Sequence, residues 1–92
     1  MTAPMARDPE DLEARRKKLL WRATHRGIKE MDMLLGGYAR ARVGGMSVAD
    51  LDSLETIIEI PDQTLLAWAT NQEPVPTGQM SPMLQDVLNF RP

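Results

Sequence analysis

A single glycine divides the first half of this chain. Gly27 stands between two stretches whose apolar residues recur at helical spacing. Before it, Leu12, Leu19, Leu20 and Ala23 mark one face of a segment running from about residue 9 to Thr24. After it, Ile28, Met31, Leu34, Leu35 and Tyr38 step by 3, 3, 1 and 3 residues, a single stripe of a helix over about 28–40. Only glycine takes a left-handed backbone conformation without steric penalty, so Gly27 reads as the point where one helix ends and the next begins. If it also caps the second helix, Glu30 falls at the third helical position. Its carboxylate can then reach back to an orphan N–H and favour the positive helix end.

The remaining punctuation gives three more helices. Asp8 with Pro9 opens the first helix as cap and first residue. Gly36-Gly37 weaken the second, at roughly 1 kcal/mol per glycine against alanine, but permit a tight crossing or a kink. Gly44-Gly45 close that unit. Ser47 caps a third helix, with Asp50 completing a short capping box, and Val48, Leu51, Leu54 and Ile58 face inward. Pro61 ends it, and Asp62 reads as the cap of a fourth, with Leu65, Leu66, Trp68 and Ala69 as its apolar set. A loop over 71–80 contains Pro74, Pro76 and Gly78. Ser81 and Pro82 open a fifth helix that packs Met83, Leu84, Val87 and Leu88. Neither strand signals nor repeats interrupt this pattern. The expected fold class is all-α, a compact five-helix bundle forming one domain over residues 1–92, with 1–7 disordered and 71–80 a flexible loop. Tyr38, Trp68 and most of the methionines read as packing; Trp21 is placed towards the exposed side of helix 1.

At 92 residues the chain supports one modest core and no enclosed cleft with a cofactor pocket. With no cysteine it has neither disulfides nor a zinc–thiolate site. Its longest apolar run is far below the roughly 20 residues of a membrane span, so no membrane insertion is expected. Residues 1–7 lack the apolar core of a secretory signal, and Asp8, Glu10, Asp11 and Glu13 argue against an acid-poor mitochondrial presequence. A cytoplasmic, bacterial-type protein is expected. The charge is unevenly spread: residues 1–42 hold ten Lys or Arg and six Asp or Glu, residues 43–92 one and seven. Arg15, Arg16, Lys17, Lys18, Arg22, Arg26 and Lys29 form a basic cluster. It is either a solvated helix face or a patch for an acidic partner or phosphate.

The candidate site is the junction Arg26-Gly27-Ile28-Lys29-Glu30. Helix termination accounts for Gly27 and Glu30 but leaves Arg26 over, because Arg four residues before Glu is the weaker order for an intrahelical pair. An exposed guanidinium beside a glycine offers an uncluttered surface suited to a partner's carboxylate. The neighbours Arg22, His25 and Asp32 complete the expected partner-binding set. His25 alone, without cysteine, makes no metal site and reads as a solvated or capping group. An R-G-x-x-E string arises by chance in roughly 1–2% of chains this long, so the motif needs context.

That context is the segment Leu19 to Gly36, LLWRATHRGIKEMDMLLG, followed by Ile60-Pro61-Asp62-Gln63-Thr64-Leu65-Leu66-Ala67-Trp68. Together they resemble the R-G-x-x-E and P-D-x-x-L-x-x-W blocks of the SdhE family, the flavinylation factors of succinate dehydrogenase, called assembly factor 2 in mitochondria. The resemblance covers about residues 12–70 and implies a small five-helix fold. It also implies an assembly factor that binds the flavoprotein subunit of succinate dehydrogenase, and in some bacteria that of fumarate reductase. Such a factor promotes covalent FAD attachment there. By position Arg26, Gly27 and Glu30 become the interaction surface. No catalytic residue, no metal and no cofactor of its own are implied, and a monomer is expected. The bond-making is left to the partner, with Glu30 as base for the flavin methyl proton an alternative. Thr24 and Asn71-Gln72 depart from the family pattern.

A different class stays open: a small helix-turn-helix-like nucleic-acid-binding or antitoxin-type protein, built on the basic first helix. A recognition helix needs polar, base-reading side chains, whereas helix 2 offers mainly Met, Leu and Gly. The expected partner is therefore protein, not nucleic acid. No activated nucleophile, phosphate-binding loop or metal cluster suggests an enzyme.

Overall fold

Two of the helices begin at a serine whose side chain takes up a free backbone donor. The computed structural model describes residues 9–91. In it, α1 spans Pro9–Thr24, α2 Lys29–Arg42, α3 Val48–Ile58, α4 Asp62–Ala69 and α5 Pro82–Asn89. Short 3-10 turns lie at Val43–Gly45 and Thr77–Gln79. There is no strand among the described residues, and the expected all-α five-helix bundle is the observed architecture. The cap expected at Asp8 lies outside the described residues.

At α3 the capping box forms in full: Asp50 N–H donates to Ser47 Oγ and Ser47 N–H to Asp50 Oδ2, each at 3.2 Å. At α5, Ser81 Oγ accepts from Leu84 N–H at 3.1 Å, with Pro82 in the first turn, where its missing donor costs nothing. Two starts differ from expectation. Ile28, not Gly27, occupies the N-cap of α2, and Pro61 precedes α4, whose first residue is Asp62. The Asp62 carboxylate is thereby released from capping and serves elsewhere.

The core draws on every helix: Leu19 and Ala23; Met31, Leu35, Tyr38 and Ala39; Leu51, Leu54, Ile57 and Ile58; Leu65 and Trp68; Leu84 and Val87. Val43 and Met46 close it between α2 and α3. Helix α1 packs on α2 and α3, α2 also meets α4 and α5, and α5 reaches α3. Tyr38 and Trp68 are buried as expected, and Phe90 meets the Tyr38 ring edge-on at 6.0 Å.

Part of the uneven charge is used between helices. Arg15 Nη2 lies 2.7 Å from Asp52 and 2.9 Å from Glu55, both on α3, and Arg22 lies 3.5 Å from Glu55. The hydrogen bonds to Asp52 and Glu55 raise the Arg15 pKa above its ordinary value. Arg16 donates to the Met46 carbonyl at 2.8 Å. The basic half of the sequence thus meets the acidic half across the α1–α3 contact. Each such exposed pair contributes about 0.2–1 kcal/mol, so register between the helices is the larger consequence.

The tight crossing expected at the glycine pair is realised at Gly36. A Cβ built there would lie 3.0 Å from Thr24 Cγ2, 3.2 Å from the Ala23 carbonyl oxygen and 3.3 Å from Thr24 Cα. Two of those three atoms are backbone, so α1 and α2 would have to part. Gly36→Ala should therefore destabilise by about 1–3 kcal/mol, offsetting alanine's helix advantage. That corresponds to a melting temperature lower by about 4–8 °C per kcal/mol. An unchanged or higher value in a thermal melt would show that α1 yields without cost.

Candidate functional site

The corner between α1 and α2 is made by Thr24 to Ile28. Thr24 Oγ1 donates back to the Leu20 carbonyl at 2.9 Å, which ends α1 cleanly. Gly27 then takes φ +94°, and Ile28 returns to extended backbone and accepts from Met31 and Asp32 N–H at 3.0 and 2.9 Å. An L-residue at Gly27 would be strained by about 1–2 kcal/mol. Space inside the molecule is not the constraint, since a Cβ built at Gly27 meets nothing within 4 Å. Its missing side chain faces outward, and any added atoms would project from the surface.

Arg26 behaves differently from expectation. Its side chain is 8% exposed and turned into the fold, not outward. Nε donates to Asp62 Oδ1 at 2.5 Å, Nη2 to the Ile60 carbonyl at 2.6 Å, and Nη1 to the Ile58 carbonyl. The expected exposed guanidinium is thus corrected. Ile58 and Ile60 lie where α3 ends and leaves carbonyls without helical partners, and a planar fork with several donors satisfies two of them together with a carboxylate. The two sequence blocks meet here, Arg26 of one binding Asp62 of the other.

The acids of the corner also exchange roles. Because α2 starts at Lys29, Glu30 sits at its second position, exposed, with no hydrogen bond or ion pair among the described residues. The reach back to an orphan donor is made by Asp32, whose Oδ1 accepts from Arg26 N–H at 2.7 Å. Glu30 stabilises only through the positive end of α2 and leaves both carboxylate oxygens for another molecule. Arg22 is half-buried and engaged with Glu55. His25 is exposed and stacks on Trp21, ring centroids 4.3 Å apart and planes 15° from parallel. Its Nδ1 lies 2.8 Å from the Trp21 carbonyl, which can only accept, so Nδ1 carries the proton in that contact.

Of the six expected residues, the structure presents Gly27, Glu30 and His25 outward, leaves Arg22 and Asp32 half-buried, and sequesters Arg26. Sequence reasoning missed Asp62 as the partner of Arg26. Thirty-six residues separate them, and the adjacent proline made a helix cap the simpler reading. No group of three or more His, Cys, Asp or Glu among the described residues could hold a metal. No described helix is long and apolar enough to cross a membrane. The recognition-helix reading fares poorly, because Met31, Leu35 and Tyr38 of α2 face the core and Arg15, Arg22 and Arg26 are engaged internally.

Removing one partner of a sequestered ion pair leaves the other charge uncompensated, at about 3–5 kcal/mol. Arg26→Ala should accordingly lose about 3 kcal/mol in denaturant unfolding. Arg26→Lys, which keeps the charge but not the fork, should lose less but remain clearly weaker than the parent chain. Unchanged unfolding of both variants would show that the clamp holds nothing.

Residues 17–91 match the family described as flavinator of succinate dehydrogenase. The chain is 40% identical over 76 residues to the FAD assembly factor SdhE of Acetobacter pasteurianus, covering 83% of this chain and 70% of that protein. It is 33% identical over 70 residues to the mitochondrial succinate dehydrogenase assembly factor 2 of Yarrowia lipolytica, and 32% over 68 residues to that of Saccharomyces cerevisiae. These matches cover 76% and 74% of this chain, but only 48% and 42% of the two fungal proteins. The match of the family to most of the chain, through both sequence blocks that meet at the Arg26–Asp62 pair, places this protein in the succinate dehydrogenase flavinator family.

Proposed function

We propose that this chain is an assembly factor that binds the flavoprotein subunit of succinate dehydrogenase and promotes covalent attachment of FAD to it, with the α1–α2 corner as its contact. The observation that carries the reading is Gly27: held at positive φ, free of internal contacts, and beside the exposed, unpaired Glu30. A glycine whose side-chain position points to solvent lets a second backbone approach closely. Gly27 and Glu30 stand at the motif positions that the resemblance makes the contact, and Arg26 enters as the residue that fixes the corner.

Attachment requires a proton to leave the flavin 8α-methyl and a partner histidine to attack, while negative charge develops on the ring system. The flavoprotein supplies the flavin site, the nucleophile and the cation that stabilises this charge. The factor holds the immature subunit so that the reacting atoms stay close, a positional effect that needs no group of its own in the chemistry. In this reading the factor is non-enzymatic, acts as a monomer in the cytoplasm, carries no FAD, and extends to a fumarate reductase flavoprotein where that shares the docking surface. Glu30 then serves as a docking carboxylate.

Two substitutions at one position separate folding from docking. Gly27→Ala and Gly27→Arg carry the same backbone strain, about 1–2 kcal/mol, and both side chains have room in the isolated chain. Their melting temperatures should agree closely. Binding to the purified flavoprotein subunit should fall at least tenfold further for Gly27→Arg, and flavin fluorescence of the large subunit on a denaturing gel should drop to that of a strain lacking the factor. Glu30→Gln should weaken binding with no change in melting. Wild-type affinity for a folded Gly27→Arg chain, or full flavin attachment in the strain lacking the factor, would defeat the proposal.

A further inference from the structure

Trp21 is 61% exposed, the most exposed of the large hydrophobic residues described. An isolated exposed tryptophan is ordinary on a surface, but this one is held in place. Its indole stacks on His25, and the His25 ring is fixed in turn by its contacts to the Trp21 carbonyl at 2.8 Å and Thr24 Oγ1 at 3.0 Å. The stack favours one placement of the indole, and such preorganisation is where aromatic anchors gain affinity. The indole stands between two shallow recesses. One is shared with Arg22, His25, Arg26, Ile58 and Asp62, the other with Lys17, Leu20, Thr24 and Arg40. The first recess runs into the Gly27 corner through His25 and Arg26.

The charge lining the two recesses that has no ion pair among the described residues is positive. Lys17 and Arg40 have no ion pair among the described residues, and Arg22 is only half-covered. Asp62, the acid lining these recesses, is matched by Arg26. A basic rim around a rigid aromatic fits an apolar pocket edged with carboxylates.

We infer that Trp21 is the hydrophobic anchor of the docking surface, inserting into an acid-rimmed apolar pocket on the flavoprotein beside the cleft that receives Gly27 and Glu30, with Lys17 and Arg40 pairing its rim. This rests on the reading of the corner given under Proposed function. Tryptophan is the residue type most enriched among interface positions whose truncation dominates affinity, and such positions cost about thirtyfold or more in binding.

The test uses the full chain and the isolated flavoprotein subunit of succinate dehydrogenase. Trp21→Ala should weaken binding by about thirtyfold and Trp21→Phe by much less. Melting should stay within the range of a surface substitution. Lys17→Glu with Arg40→Glu should slow association and reduce its salt sensitivity. With 5-fluorotryptophan incorporated in this chain alone, the Trp21 resonance should shift on complex formation while that of buried Trp68 stays in place. Parental affinity of Trp21→Ala, an unshifted Trp21 signal, or self-association of the free chain that Trp21→Ala abolishes would overturn the inference. If the flavoprotein binds the parent chain and rejects Gly27→Arg but accepts Trp21→Ala, the anchor alone is wrong. If it does not bind the parent chain, the reading of the corner falls with it.

Discussion

The guanidinium of Arg26 joins three pieces of the bundle at one point. It follows the end of α1, bonds the carbonyls of Ile58 at the end of α3 and of Ile60 just beyond it, and pairs with the first residue of α4, Asp62. With 8% of its side chain exposed, little water competes for those bonds. The backbone of the same residue is fixed from the other side, by Asp32 of α2. Arg26 is therefore immobilised at both ends, and the next residue, Gly27, inherits a defined direction. An exposed turn of five residues would ordinarily be among the more mobile parts of a small helical protein. Here the buried side chain stiffens it, leaving Gly27 and Glu30 outward on a rigid base.

This clamp changes how the signature string reads. A motif whose members all touch a partner would present them on one face. The observed string alternates: arginine inward, glycine outward, glutamate outward, with Asp32 behind them as the brace. One residue sets the geometry and two offer the surface. The division explains why the second block, with its Pro61-Asp62 pair, accompanies the first: the proline ends α3 with its carbonyls available, and the aspartate supplies the counter-charge.

The basic cluster follows the same logic. The seven cations between residues 15 and 29 suggest an electrostatic surface, but Arg15, Arg16, Arg22 and Arg26 turn to acceptors beyond α2. Lys17 and Arg40, which stay outward without an ion pair among the described residues, flank Trp21. Long side chains find partners wherever the fold brings carboxylates or orphan carbonyls near, so a linear count of charge overstates the charge a partner can meet.

Helix number, order and most boundaries were readable because they depend on local chemistry. Ser47 with Asp50, Ser81 with Pro82 and the apolar stripe from Met31 to Tyr38 act within a few residues of one another, and each recurs in the structure as read. The turn at Gly27 was readable too, since a glycine between two helices marks a corner whatever surrounds it. The sequence determined that the chain is a five-helix bundle with a glycine corner after its first helix. Which way Arg26 points, and that it meets Asp62 and the carbonyls of Ile58 and Ile60, were decided by tertiary structure alone. Those outcomes turn on contacts across up to 36 positions and on how close α1 and α3 lie, and no local pattern encodes the distance between two helices before they pack.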